Sequence, residues 1–184
     1  MNGPLDQVAS WPVRTAAVAV MSPAGLLAAR GPLDRPFSWA SVTKLLTTLA
    51  ALDVLSPSLV DSELLAEATR TAFPGLPGVV PGFGRQPLCD WGLGFEIRDS
   101  KAPHWTGSRN SPATFGHFGR SGSFLWVDPE AGLACAALTD QDFGPWAARA
   151  WPRLSDDILT SYGSGLPVAG GQAQQVGDVH RPHL

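Results

Sequence analysis

The chain has 184 residues, a hydrophobic fraction of 44% and a formal net charge of −3 at pH 7. This length suits one domain, or one domain with a tail, and the apolar content excludes a fully disordered protein. The mild acidity and the scarcity of lysine, with only Lys44 and Lys101, exclude an electrostatic footprint for nucleic acid.

The first half of the chain predicts a hairpin followed by two helices. Residues 13–21 are β-branched and alanine-rich, and a turn signal at residues 22–25 separates them from a second arm at 26–29. A helix is predicted to start near Ser41, and a second one to run over residues 61–72. The apolar positions of the first helix form one stripe made of Val42, Leu45, Leu46, Leu49 and Ala50.

The second half predicts strands and a last helix. Residues 73–84 are so rich in proline and glycine that a loop without regular structure is expected. Strands are predicted at residues 91–98, 114–119, 123–127 and 133–139, the last two joined as a hairpin. A helix interrupted at Pro152 follows over 145–162. These elements predict an α+β domain over residues 1–162, in which helices pack on an antiparallel sheet, and a disordered tail over 163–184.

The N-terminus carries no positively charged region, and no apolar run is long enough to cross a bilayer. The sequence therefore predicts a cytoplasmic protein that does not bind membranes. Cys89 and Cys135 are too few for a disulfide framework and too far apart for a metal knuckle.

The most informative short motif is Ser41-Val-Thr-Lys44, at the predicted start of the first helix. Residues three apart share one face of a helix, so the Lys44 amine can reach the Ser41 hydroxyl. A serine becomes a nucleophile when a neighbouring base takes its proton, and the helix start offers the Ser41 N–H to an oxyanion. The same pattern also fits an N-cap serine followed by a surface lysine, so the motif alone leaves both interpretations open.

The surroundings of this motif resemble a known family. Residues 37–50 are similar to the nucleophile segment of class C β-lactamases and of related esterases and D,D-peptidases. Residues 115–140 are similar to the active-site strand of that family and to its following hairpin, and His117-Phe118-Gly119 stands at the place of the Lys-Thr-Gly or His-Thr-Gly triad. Both segments occur in the order of the family. The chain therefore resembles the serine β-lactamases and penicillin-binding proteins.

This resemblance implies a β-lactamase/transpeptidase-like fold and a serine hydrolase that forms an acyl-enzyme on Ser41. It implies that the His117 strand lies beside the Ser41 helix, and that His117 orients a substrate carboxylate or tunes Lys44. Gly119 would let the acyl group approach the backbone, and the N–H of Arg120 would be the second oxyanion donor. The implied partner is a small-molecule ester or amide, and no cofactor or metal is expected.

One element of the family has no counterpart in this chain. The Tyr-x-Asn or Ser-x-Asn motif is absent, because Tyr162 is near the C-terminus and Ser108-Arg-Asn110 is interpreted as a coincidental turn. The resemblance covers residues 11–52 and 54–160 with an internal gap near 51–54, so most of the helical subdomain is missing. A natural deletion, a gene-prediction error and an engineered truncation all remain open.

Three functions are compatible with these patterns. The first is a serine hydrolase weakened by the missing motif, with ester cleavage favoured over β-lactam hydrolysis. The second is an inactive remnant or a binding module of the same fold. The third is a metal hydrolase that uses His104, His117, Cys89 and Asp90, although these residues lack ligand spacing.

Overall fold

The structure is a computed structural model and describes residues 3–48 and 62–163. Leu49, Ala50, the predicted gap at 51–54 and the predicted tail beyond Gly163 lie outside the described residues. Within the described ranges, no helix is both long and apolar enough to span a membrane.

One six-stranded antiparallel sheet organises the fold, as the sequence predicts. Two further strands form a separate small hairpin. The strands are β1 (Ala16–Ser22), β2 (Gly25–Arg30), β3 (Gly78–Val80), β4 (Gly84–Gln86), β5 (Glu96–Ile97), β6 (Phe115–Phe118), β7 (Phe124–Asp128) and β8 (Leu133–Thr139). Their order in the large sheet is β2-β1-β8-β7-β6-β5, and β3 pairs with β4. The predicted hairpins β1–β2 and β7–β8 are confirmed, because alternating buried side chains and turn residues fix them locally.

The long helix α3 (Pro145–Tyr162) covers one face of this sheet. Pro145 occupies its first turn, where a missing N–H is harmless. Trp151, Leu154 and Ile158 are buried in the main core, where they meet Phe124 and Trp126 of β7. The predicted interruption at Pro152 is wrong, since the helix continues through it. We attribute this continuity to the apolar face on both sides of Pro152, whose burial offsets the lost hydrogen bond.

Two short helices lie on the opposite face. A 3-10 turn (Ala40–Val42) leads into α1 (residues 43–48), and α2 (Ser62–Ala68) follows, shorter than predicted. A second core forms here from Val42, Leu45, Ala68 and Phe95, packed against Phe115 and Leu125 of the sheet. Of the predicted apolar stripe, Val42 and Leu45 are buried as expected.

Three local expectations are wrong. Leu46 is 50% exposed, because the described residues place no partner over that side of α1. The segment 73–84 is not free of regular structure, since it contains β3 and the start of β4, whose turn is closed by the bond from Phe83 N–H to Val80 O (2.9 Å). The strand predicted over 91–98 shrinks to β5 and one bridge between Trp91 and Glu96, because Gly92 and Gly94 break it.

Candidate active site

The alternation of side chains along β6 and β7 brings His117 to the face of the sheet that carries α1. Successive side chains of a strand point to opposite faces, and directly paired residues share a face. Phe118 and Phe124 pair with each other and belong to the core beneath α3. His117 pairs with Leu125, which packs beneath α1. The histidine therefore lies on the same side as Ser41.

Ser41 lies in the 3-10 turn that precedes α1. Lys44 Nζ donates a hydrogen bond to Ser41 Oγ at 3.1 Å, as the spacing of the motif predicts. Ser41 is half-buried, whereas the Lys44 side chain is exposed rather than buried. Ala40, immediately before the serine, has a φ of +46°, a left-handed conformation that costs a non-glycine residue about 1–3 kcal/mol. Such strain is typical of residues that aim a functional side chain.

Gly119 lets the end of β6 approach this turn. A Cβ atom at position 119 would lie 2.6 Å from the carbonyl oxygen of Trp39 and 3.2 Å from the nitrogen of Ser41. The first distance is shorter than any real Cβ contact, so a side chain would push the strand away from the serine. The structure thus gives Gly119 a role that the sequence did not predict, namely the close contact between β6 and the Ser41 turn.

Two backbone N–H groups are available where these segments meet. Gly119 N–H donates to Ser123 O and Phe143 N–H donates to Arg120 O, both at 2.8 Å, which fixes the loop after β6. Among the described residues, neither the Ser41 N–H nor the Arg120 N–H has an acceptor. The Arg120 side chain is 88% exposed, and its Nε lies 3.5 Å from Asp142 Oδ2. Arg120 therefore offers its backbone N–H as a donor, while its guanidinium is directed to the surface.

His117 is buried, and its surroundings favour the neutral form of its imidazole. Burial lowers the pKa of its imidazole, and the nearby Lys44 ammonium lowers it further, against an opposing effect of Glu96 and the Phe118 carbonyl. His117 Nδ1 lies 2.6 Å from the Phe118 carbonyl oxygen, so Nδ1 carries the proton and donates it. Nε2 is then free of a proton and can accept one.

These residues line one cleft of about 430 Å³, a size typical of small-molecule sites. Ser41, Lys44, His117 and Arg120 all contribute to its wall. Phe118, the middle residue of the predicted triad, also lines the cleft. The other lining residues, which sequence reasoning missed, are largely apolar or aromatic: Val79, Val80, Pro81, Trp91, Glu96 and Phe143. The edge of the Trp91 ring meets His117 at a centroid distance of 5.4 Å. No local pattern identifies these lining residues as a set, because they come from strands and loops that are far apart in the sequence.

The sequence profile of the β-lactamase family matches residues 7–160. The chain belongs to the β-lactamase family. A crystal structure of a β-lactamase from Mycobacterium bovis is 33% identical, with a TM-score of 0.82, and the match covers 87% of this chain and 99% of that chain. A penicillin-binding protein homologue from Caulobacter crescentus is 24% identical over 65% of this chain and 30% of its own, with a TM-score of 0.43. A search of curated proteins finds no significant match.

Membership in the β-lactamase family confirms the α+β fold that the sequence resemblance implies. Because the match takes in 99% of the Mycobacterium bovis chain, the internal shortening is not peculiar to this sequence.

Neither Tyr162 nor the Ser108-Arg-Asn110 stretch lines the described cleft. Tyr162 lies at the end of α3 and packs against the main core. Ser108 Oγ donates to Asp156 Oδ2 at 3.0 Å, and Asn110 Oδ1 accepts from Gly107 N–H at 2.8 Å. Ser108 and Asn110 thus hold a turn away from the cleft. Among the described residues, no group of three His, Cys, Asp or Glu side chains could hold a metal ion.

A buried cluster supports the floor of the cleft. Glu96 Oε2 accepts the Trp105 indole N–H at 2.8 Å, and Glu96 Oε1 lies 3.2 Å from His104 Nε2 and 3.9 Å from Lys101 Nζ. Thr106 N–H donates to His104 Nδ1 at 3.2 Å, so the proton of this imidazole sits on Nε2 and points to Glu96. Lys101 Nζ also donates to the carbonyls of Asp90 and Ile97. The sequence did not predict this cluster.

We expect the Glu96 cluster to make the fold sensitive to acid. Burial alone would raise the pKa of Glu96, but the bonds from His104 and Trp105 and the charge of Lys101 lower it below its ordinary value of 4.5. The stability contributed by the ionised carboxylate is therefore present above pH 4.5 and is lost as the pH falls through the depressed folded-state pKa. Glu96→Gln should lower the free energy of unfolding by about 1–3 kcal/mol at pH 7.

The measurement is the urea midpoint of wild type and Glu96→Gln between pH 7 and pH 3. The difference between the two proteins should shrink towards the acidic end. Glu130→Gln, at an exposed turn position, is the matched control and should follow wild type throughout. If the urea midpoints of wild type and Glu96→Gln differ by the same amount at every pH, the ionised carboxylate is not the source of the stability.

Proposed function

We propose that the protein is a serine hydrolase that cleaves esters or amides through an acyl-enzyme on Ser41. The observation that carries this proposal is the 3.1 Å hydrogen bond between Lys44 Nζ and Ser41 Oγ at the wall of the cleft, beside the end of β6. A nucleophile within hydrogen-bond reach of a candidate base is the signature of covalent catalysis. Membership in the β-lactamase family supports the same chemistry.

In the proposed acylation step, Ser41 Oγ forms a bond to the substrate carbonyl carbon while its proton passes to Lys44. The carbonyl oxygen becomes an oxyanion, which the N–H groups of Ser41 and Arg120 stabilise. The bond to the leaving alcohol or amine then breaks, and the proton held by Lys44 moves to the departing oxygen or nitrogen.

In the proposed deacylation step, water attacks the ester carbon of the acyl-enzyme, and Ser41 leaves with a proton. No tyrosine of the described cleft assists, so Lys44 or the unprotonated Nε2 of His117 must serve both steps. General acid–base catalysis contributes about 10²–10⁴-fold, so the loss of one partner slows turnover without preventing acylation. We therefore expect slow hydrolysis of small activated esters.

The experiment is labelling with a serine-reactive fluorophosphonate followed by measurement of the intact mass. One adduct per folded monomer is expected, because the phosphonate mimics the tetrahedral intermediate of acyl transfer. A well-folded protein that remains unlabelled under these conditions would contradict the proposal and favour an inactive remnant of the fold.

A further inference from the structure

Part of the cleft wall is apolar and exposed to solvent. Val79 is 68% exposed and Trp91 is 37% exposed, although both line a concave site. Apolar side chains that converge in a cleft are typical of positions that a ligand covers. The wall therefore has the character of a surface for an apolar group of the substrate.

The short hairpin β3–β4 holds this wall in place. Val80 beside Val79 is buried in the main core, and the turn that follows is tied by the Phe83 N–H to Val80 O bond. A Cβ at Gly82 would lie 2.6 Å from the Phe143 ring, so the turn sits directly on that aromatic side chain. Phe143 in turn packs on Phe118 at a centroid distance of 5.0 Å. The apolar wall is thus anchored to the same strand that carries His117.

The described lining of the cleft provides no buried, unpaired cation for an anionic substrate. Glu96 places a buried carboxylate at the floor. Of the described cations that line the cleft, Lys44 is bound to Ser41 and Arg120 lies near Asp142 at the surface. Burial lowers the pKa of His117, so this imidazole carries no charge that could bind a carboxylate. A carboxylate-bearing substrate would find no buried, unpaired cation among these residues.

We propose that this cleft selects neutral esters with an extended apolar acyl group, seated between Val79 and Trp91, over substrates that carry a carboxylate. The inference rests on the proposed acyl-enzyme chemistry and adds the substrate class. Each fully buried methylene strengthens binding up to about fourfold. The specificity constant should therefore increase along an acyl series until the wall is covered.

The experiment measures kcat/KM for p-nitrophenyl acetate, butyrate and octanoate, with nitrocefin as the chromogenic β-lactam that carries a carboxylate. We expect butyrate to exceed acetate by about tenfold, octanoate to exceed acetate further, and nitrocefin to be the poorest substrate. A flat or falling acyl series, or a nitrocefin value above that of octanoate, would overturn the inference.

Two variants test whether the wall itself sets the preference. Val79→Asp places a charge on the exposed part of the wall, and Trp91→Ala removes its largest apolar surface, so each should lower the octanoate-to-acetate ratio by about tenfold. Leu27→Asp is the matched control, because Leu27 is 42% exposed on β2, at the opposite edge of the sheet. If wild type, Val79→Asp and Trp91→Ala share the same octanoate-to-acetate ratio of kcat/KM, the apolar wall does not determine the acyl preference.

The failure of this inference is distinguishable from the failure of the proposed function. If Ser41 is labelled by the phosphonate and acetate is turned over, but longer acyl groups bring no gain, only the substrate class is wrong. If no ester is hydrolysed and Ser41 is unlabelled in the folded protein, the acyl-enzyme chemistry itself is wrong.

Discussion

Ser41→Ala is expected to slow the hydrolysis of p-nitrophenyl acetate by about 10³-fold or more. The reason is that no other described serine lies in the cleft within reach of Lys44, so the covalent route disappears. The rate of hydrolysis is measured from the release of p-nitrophenol. The variant should remain folded, because among the described residues the Ser41 hydroxyl takes part in a single hydrogen bond, the one from Lys44.

Ser38→Ala is the matched control for this experiment. Ser38 is exposed and lies three residues before Ser41 in the same segment, and only its backbone carbonyl is used, as acceptor for Ser123 Oγ at 3.3 Å. Its replacement should leave the rate unchanged. Equal rates in wild type and Ser41→Ala would mean that the activity arises elsewhere.

Lys44→Met is expected to lower kcat/KM for the same ester by about 10²–10⁴-fold, the usual contribution of a general base. Methionine keeps most of the length and apolar stem of lysine but cannot accept the Ser41 proton. The measurement is the steady-state rate over a range of ester concentrations at neutral pH.

The variant Lys44→Arg distinguishes the role of Lys44 as a general base from the effect of its positive charge. Arginine retains a cation near Ser41, yet its guanidinium does not deprotonate in proteins. If Lys44 acts as the base, this variant should be nearly as slow as Lys44→Met. If Lys44→Arg keeps most of the wild-type rate, Lys44 acts only through its charge, and His117 Nε2 becomes the candidate base.

The sequence predicts the parts of this fold that depend on local periodicity. Strands β7 and β8 alternate buried and partly buried residues around a turn at 129–132, so local pattern and final packing agree. The Ser41–Lys44 pair follows from helical spacing alone. The resemblance of residues 115–140 to the active-site strand of the family points to His117, and the alternation of side chains along β6 explains why it faces α1.

The remaining features depend on tertiary contacts that no local pattern shows. Pro152 is a helix breaker by propensity, yet α3 is held by the core on both sides of it. Val79 reaches the cleft from a segment whose glycines and prolines predict only a loop, and Trp91 reaches it from a predicted strand that forms a single bridge at that residue. Glu96, Lys101 and His104 would each be expected at the surface, and only their mutual pairing makes burial favourable.

The central claim is that Ser41 is the nucleophile, and the site of phosphonate attachment tests it most directly. Trypsin does not cut between Arg35 and Pro36, so digestion should release residues 31–44 as one peptide that contains both Ser38 and Ser41. Fragmentation of this peptide in the mass spectrometer separates the two serines. The adduct is predicted on Ser41, with Ser38 unmodified. An adduct on Ser38 or on any other residue, or no adduct on the folded protein, would contradict the account.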